Sequence, residues 1–160
     1  LSEIQRGYVL NVVELGRKNL QSIYTPWQDV VSAKTEQSLE DVESLLLTSG
    51  HTRIPIFNNH NVVGILNARE FMASKAAGEN DWTKVMRTPL SIQDRTPLLH
   101  ALRMLQEQKN HMAIVLSEHN QIGIVTIEDI LEEVIGEIYD EDDDGTLKRI
   151  LSSGIKRKLS

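Results

Sequence analysis

Apolar residues recur along this chain in two rhythms, one helical and one strand-like, and the whole succession is written twice. Leu39, Val42, Leu45 and Leu46 form an apolar helical stripe behind Ser38, whose hydroxyl suits an N-cap. Ile54-Pro55-Ile56-Phe57 and Gly64-Ile65-Leu66 follow as short runs rich in branched residues, separated by turn-forming His60-Asn61. At an offset of 59 (Gly64 to Gly123) the pattern returns. Leu98, Ala101, Met104 and Leu105 make the second stripe, Ala113-Ile114-Val115-Leu116 and Gly123-Ile124-Val125 the second pair of strands, and His119-Asn120 the second turn. The register holds without a gap from Leu39 to Met72. Thr96 and Pro97 are expected to open the second stripe as N-cap and first helical residue. Thr25-Pro26 recurs as Thr88-Pro89 at a different offset, so the intervening loops differ in length.

Outside the matched register the pattern is looser. Ile4, Tyr8, Val12 and Leu15 recur at helical spacing after Ser2, which predicts an amphipathic helix over residues 1–24, with Gly16 ending its first segment. Asp29-Val30-Val31 reads as a short strand, and Ala73 to Thr83 as the connector between the copies. One hairpin and two helices cannot close a core alone, because each sheet needs a covered face. The expected fold is therefore mixed α/β (α+β), with two copies packed sheet to sheet.

The better-preserved copy centres on His111 to Glu137. Here Met112 to Leu116 is a strand, Glu118-His119-Asn120 a turn and Ile122 to Val125 a strand, and a helix begins at Thr126 with Asp129 one turn on. His111 is read as a strand-edge residue. A hydroxyl, a carboxylate and free backbone N–H groups then meet at one corner, which suits a phosphorylated ribose. The same two residues equally suit a helix cap, and spacing leaves both readings open. Arg53 fits either a surface ion pair or a phosphate contact.

Composition narrows the classes. The 160 residues suffice for one compact domain or two intertwined halves, and with 4% aromatic residues the core must be aliphatic. Without cysteine there is no disulfide and no thiolate metal site. No apolar run approaches the roughly 20 residues that cross a bilayer. Leu1-Ser2-Glu3 is neither an initiator methionine nor a signal peptide, so the chain is read as a piece of something longer. The net charge of −6 equals the charge on Glu137, Asp140, Glu141, Asp142, Asp143 and Asp144, which leaves a neutral body with no basic face for nucleic acid. Asp140-x-Asp142-x-Asp144-Gly145 imitates a calcium-loop start, but its twelfth position is Leu151 where a bidentate Glu is required. The run keeps only a weak attraction for magnesium, and residues 140–160 read as an acidic and then basic tail. His60 and His119 are read as turn residues rather than metal ligands, and no nucleophile elbow, phosphate loop or zinc-protease motif occurs. The chain is expected not to be an enzyme.

The repeat resembles a pair of CBS domains, or Bateman module, and its flanks resemble the CorC/HlyC–CNNM group of magnesium and cobalt transport proteins. The likeness is carried by Asn11-Val12-Val13-Glu14-Leu15-Gly16, Tyr24-Thr25-Pro26, His51-Thr52-Arg53-Ile54-Pro55-Ile56-Phe57, His111-Met112-Ala113-Ile114-Val115, and the run from Gly123 through Thr126-Ile127-Glu128-Asp129 to Ile138. It implies two pseudo-symmetric β-α-β-β-α repeats, over residues 25–84 and 85–139, after a linker helix over 1–24. It also implies a homodimer at the cytosolic face of the plasma (inner) membrane, joined to a transmembrane domain of the same parent chain. The implied ligand is an adenine nucleotide (ATP, ADP or AMP), with or without magnesium and with no covalent cofactor. In that scheme Thr126 bonds a phosphate, Asp129 the ribose hydroxyls and Arg53 the phosphates, Ile124 packs on adenine, and His51 stacks on the base. Asn67 and Glu70 stand at the corresponding positions of the first repeat and mark a weaker second site. The alternative is an interaction module that dimerises with degenerate clefts and binds no ligand.

Overall fold

The computed structural model describes residues 2–6 and 17–139; Tyr8, Val12, Leu15, Gly16, the acidic run from Asp140 and the basic tail lie outside them. Seven strands and four principal helices follow in order: β1 (Thr25–Pro26), β2 (Ala33–Lys34), α1 (Leu39–Ser49), β3 (Arg53–Asn58), β4 (Asn61–Asn67), α2 (Ala68–Ala76), β5 (Leu90–Gln93), α3 (Leu98–Glu107), β6 (Met112–Ser117), β7 (Asn120–Thr126) and α4 (Ile127–Tyr139). They build two sheets, of strand order β2-β3-β4 and β1-β7-β6-β5.

The offset of 59 governs the backbone in detail. Ala33 pairs with Ile56 in parallel, and Ile92 pairs with Val115 in the same way. A register shift falls between Ile56 and Phe57 and again between Val115 and Leu116. Gly50 and Lys109 both end their helix turns at positive φ, 71° and 53°. Asn59 and Glu118 likewise turn the two hairpins at φ 57° and 56°. Asn accepts that region more readily than Glu, so the first hairpin has the better turn residue.

Helix starts follow local chemistry. The Ser38 hydroxyl accepts from the Asp41 amide at 3.1 Å, with Glu40 and Asp41 in the first turn of α1. Pro97 occupies the N-cap position of α3 rather than the first helical one, because its carbonyl already accepts from Ala101 N–H and it bridges to Asn19.

Three further expectations are corrected. Lys18 to Tyr24 does not continue a helix: Asn19 bridges to Pro97, and Leu20–Ser22 forms one 3-10 turn. Leu20 is fully buried in the core of the second repeat, and Leu20 and Gln21 donate to the carbonyls of Thr96 and Asp94. Burial of one leucine stabilises by roughly 1.5–3 kcal/mol, enough to override weak helical propensity in a short segment. The strand expected at Asp29-Val30-Val31 lies instead at Ala33–Lys34, after a 3-10 turn over Trp27–Asp29. The expected connector at Ala73–Thr83 holds the last turn of α2 and the start of a 3-10 turn, where Trp82 is buried in the first core and donates to the Gln37 carbonyl at 2.9 Å.

The lead segments of the two repeats cross over. Thr25 and Pro26 pair with Ile124 and Gly123 of the second sheet, while Arg87 exchanges two 2.9 Å backbone bonds with Ile65 of the first. Each repeat thus completes the other's sheet. Between the sheets lies a separate apolar cluster of Val62, Ile65, Met112, Ile114 and Ile124. Gln121 pins this interface: its side chain accepts from the Val62 amide at 2.7 Å, and its carbonyl accepts from the Trp27 indole at 2.8 Å. Trp27 meets Phe57 edge to face at 4.9 Å. The two repeats therefore pack sheet to sheet, with helices on the outer faces of the sheets.

Candidate functional site

Both hairpins open toward the same end of the molecule, and their open ends enclose a cavity of about 500 Å³. Arg53 and Asn67 are paired at the start of β3 and the end of β4, and Met112 and Thr126 stand opposite in the second sheet. All four line the cavity, as do Thr52 and His111 just before those strands. Arg69 and Glu128, at the second residues of α2 and α4, complete four pairs related by the repeat offset. The cavity thus sits on the pseudo-twofold axis between the repeats.

Both helices that flank it start in the same way. The Ala68 amide donates to the Thr52 carbonyl at 2.8 Å, and the Ile127 amide to the His111 carbonyl at 3.0 Å. Asn67 Oδ1 accepts from the amides of Arg69 and Glu70 at 2.9 and 3.1 Å. Thr126 and Asp129 form a reciprocal capping box: the Thr126 hydroxyl accepts from the Asp129 amide at 3.1 Å, and Asp129 Oδ2 accepts from the Thr126 amide at 3.0 Å. The capping reading open in the sequence is therefore realised, and Thr126 borders the cavity as well.

The nominated residues fall into two groups. His51, Arg53, Asn67 and Thr126 line the cavity; Asp129, Ile124 and Glu70 are not among its lining residues. Ile124 is buried between the sheets, and Glu70 is held by Arg87 through two bonds of 2.8 and 2.9 Å. Sequence reasoning missed Arg69 and Glu128 and left His111 as a strand-edge residue. The signal was available, because each stands two residues after Asn67 or Thr126, or one residue before a strand, in the repeat already recognised.

Charge in the cavity is uneven. The first repeat contributes Arg53 and Arg69, where the second contributes Met112 and Glu128. Burial holds the Arg53 guanidinium below the ordinary arginine range; Glu128 and Glu70 oppose this, and Arg69 and Arg87 add to it. Arg53 makes no side-chain hydrogen bond or ion pair with the described residues. Arg87, by contrast, is committed to Glu70. That bond, with the Arg87 charge, holds the Glu70 carboxyl below its ordinary range. A depressed carboxyl stabilises the fold above its unfolded pKa and loses that contribution as pH falls through the folded value. A carbon-13 titration should therefore place the Glu70 midpoint below about 4.3, the ordinary glutamate value, and Arg87→Ala should raise it. An unmoved midpoint would contradict the pairing.

Two arginines, a capping hydroxyl and a pseudo-twofold cleft between two small α/β repeats define a tandem-repeat module with a polar cavity between its halves. The CBS-domain profile matches residues 20–76 and 82–136, and this chain belongs to the CBS-domain family as a tandem pair. It is homologous to CorC and UPF0053 proteins. It is 32% identical over 153 residues to the magnesium and cobalt efflux protein CorC of Salmonella typhimurium, covering 90% of this chain and 52% of that one. It is 31% identical over 161 residues to a UPF0053 protein of Mycobacterium tuberculosis, covering 96% of this chain and 37% of that protein. The chain thus spans about half or less of these relatives. Among solved structures, it superposes with a TM-score of 0.74 and 25% identity on the CBS domain of a bacterial CNNM/CorC family Mg2+ transporter in complex with ATP, covering 82% of this chain and 97% of that one. The CBS domain of a putative transporter from Clostridium difficile 630 matches with a TM-score of 0.69 and 29% identity, covering 78% and 98%.

Proposed function

We propose that this CBS pair is the regulatory module of a CorC/CNNM-like magnesium or cobalt transport protein, and that its inter-repeat cavity binds an adenine nucleotide, ATP with or without magnesium. The observation that carries the reading is Arg53, a half-buried guanidinium with no hydrogen bond or ion pair among the described residues, beside the Thr126 helix start in one cavity. A guanidinium whose donors are left unbonded is a poor stabilising device and a good phosphate receptor, even with the Glu128 charge in the same cavity. The ATP complex of the related CBS domain supports the choice of ligand. Thr126 and Arg53 hold the phosphates, His51 on the cavity wall stacks on the base, and Asp129, bonded to Thr126, serves the ribose as the family resemblance implies. The module works at the cytosolic face of a membrane beside a transmembrane domain of its parent chain. Nucleotide favours the arrangement that binds it better and so shifts the population of module geometries.

The test is a calorimetric titration of this chain with ATP, with and without magnesium, beside a thermal-shift series. Heat of binding and a raised Tm are expected; neither at millimolar nucleotide would exclude the reading. Asp129→Ala is expected to weaken ATP binding. Loss of its half of the capping box should lower stability by only about 1 kcal/mol, leaving the chain folded. Unchanged affinity in that variant would remove Asp129 from the site.

A second reading concerns assembly. Leu47 on α1 and Leu99 on α3 are 67% and 39% exposed, large apolar side chains on the outward helices. They favour a homodimer formed through helix faces, which holds a partner domain whether or not nucleotide binds. Sedimentation equilibrium should give a dimer, and Leu47→Glu should weaken it; a monomer at all concentrations would refute this.

A further inference from the structure

We propose that His111 is a phosphate-contacting residue of the cavity, donating Nδ1–H to the anion that Arg53 holds and gaining a proton as that anion binds. The inference rests on the nucleotide reading above and adds to it a residue and a linked proton.

The geometry begins with an orphan. His111 Nδ1 is fully buried and has no hydrogen-bond partner among the described residues. Buried polar atoms are nearly always paired, so an unpaired Nδ1 on a ring that lines the cavity is a donor in want of an acceptor, which rotation of the ring about χ2 would bring to the cavity. The ring is tethered on the backbone side, because its own carbonyl takes the Ile127 amide that starts α4. It therefore stays beside Arg53 and Thr126 on the cavity wall.

The charges around the ring decide its protonation. The charges of Arg53 on β3 and Glu128 in the first turn of α4 reach the ring; Arg69 in the first turn of α2 and His51 in the loop before β3 line the same cavity. Glu70 and Arg87, the next charges outward, neutralise each other. Burial, then the Arg53 charge, lower the His111 pKa, and Glu128 only partly opposes them. In the free protein the ring is thus neutral near pH 7. A phosphate chain bridging Arg53 and the ring cancels the first charge and supplies an acceptor to Nδ1. Both changes favour the imidazolium. The His111 pKa then rises on binding, the complex holds more protons than the free protein, and affinity increases as pH falls. The gain stops once the free ring is itself protonated. The pseudo-symmetry sets the charge: cationic Arg53 and Arg69 occupy the positions that Met112 and Glu128 fill across the axis, so the first repeat supplies the positive side of the cavity while Thr126 and His111 meet the phosphates from the second.

The experiment titrates the whole 160-residue chain and two variants with ATP by calorimetry, at about pH 6 and about pH 8, in two buffers of different ionisation heat. The terminal phosphate of ATP titrates in the same range, so H111N is the reference: its amide nitrogen keeps a donor near the Nδ1 position but cannot charge. H111L removes donor and charge together. Wild type should bind about fivefold to tenfold more tightly at the lower pH than H111N does, a gap that closes to about twofold at the higher pH, with buffer-dependent proton uptake exceeding that of H111N. H111L, which like H111N does not titrate, should bind about fivefold more weakly than H111N at both pH values. Equal pH profiles and equal proton uptake in wild type and H111N, with ATP bound by both, would overturn the role of His111 alone. Failure of wild type itself to bind ATP would overturn the nucleotide reading and this inference with it.

Discussion

Gly123→Ala is expected to lower the stability of this chain by about 3 kcal/mol, and its Tm by roughly 6–12 °C, the largest loss foreseen for any single methyl group here. An added Cβ at Gly123 would stand 2.0 Å from the Thr25 carbonyl oxygen and 2.9 Å from the Thr25 carbonyl carbon. Both atoms are backbone, so no side chain can swing aside. Relief requires β1 to leave β7, which breaks the Thr25–Ile124 and Pro26–Gly123 pairing and loosens Leu20 behind it. Gly64 is the internal control, since it holds the matching place in the first repeat. There an added Cβ meets the Met86 Sδ and Cβ at 2.9 Å, the first on the movable end of a flexible side chain and the second carried by a backbone segment that must shift slightly. Gly64→Ala should lower stability by only about 1 kcal/mol. Urea unfolding of the two variants checks both figures; similar losses would mean that the crossing of β1 is not what confines Gly123.

These two glycines also show how far the sequence could be read. Gly64 and Gly123 anchored the offset of 59, and with it the hairpins, both helix pairs and the sheet-to-sheet packing. Nothing in a local pattern says that Thr25-Pro26 crosses to the second sheet and Arg87 to the first, because a two-residue strand has no periodicity of its own. Tertiary burial of Leu20 decided the conformation of Lys18 to Tyr24 where local propensity pointed to a helix. Within the site, Arg53, His51, Asn67 and Thr126 were reached through the repeat and its resemblance. Arg69, Glu128 and His111 were not, although the same offset places them. Their chemistry became visible only when both copies were seen to enclose one volume, where a cation faces an anion across an axis that a linear comparison scores as mere divergence. Asp129, legible as either ribose ligand or cap, makes both bonds of a cap with Thr126.

Arg53→Met is expected to weaken ATP binding about a hundredfold while leaving the unliganded chain at least as stable as before. The first half follows from charge-assisted hydrogen bonds, each worth roughly 1.5–3 kcal/mol, of which a guanidinium can make two to one phosphate. A loss near 2.7 kcal/mol is about a hundredfold in Kd. The second half follows from what surrounds the residue in the free protein. Arg53 is half-buried, carries a guanidinium with no bonded acceptor among the described residues, and feels Arg69 and Arg87 as well as Glu128. Burial outweighs the Glu128 and Glu70 charges, so removing this partly desolvated and only partly compensated charge relieves the fold. Methionine is the replacement to choose because Met112 already fills the corresponding strand position in the second repeat, with Thr126 beside it just as Asn67 lies beside Arg53. A structural arginine would behave in the opposite way, its loss reducing the apo Tm and disturbing binding only in proportion. The two measurements, Tm without nucleotide and Kd for ATP, therefore separate a residue kept for its ligand from one kept for the fold. Unchanged ATP affinity, or a fall of several degrees in the apo Tm, would place Arg53 in the second class and return the cavity to the role of an unfilled seam between two repeats.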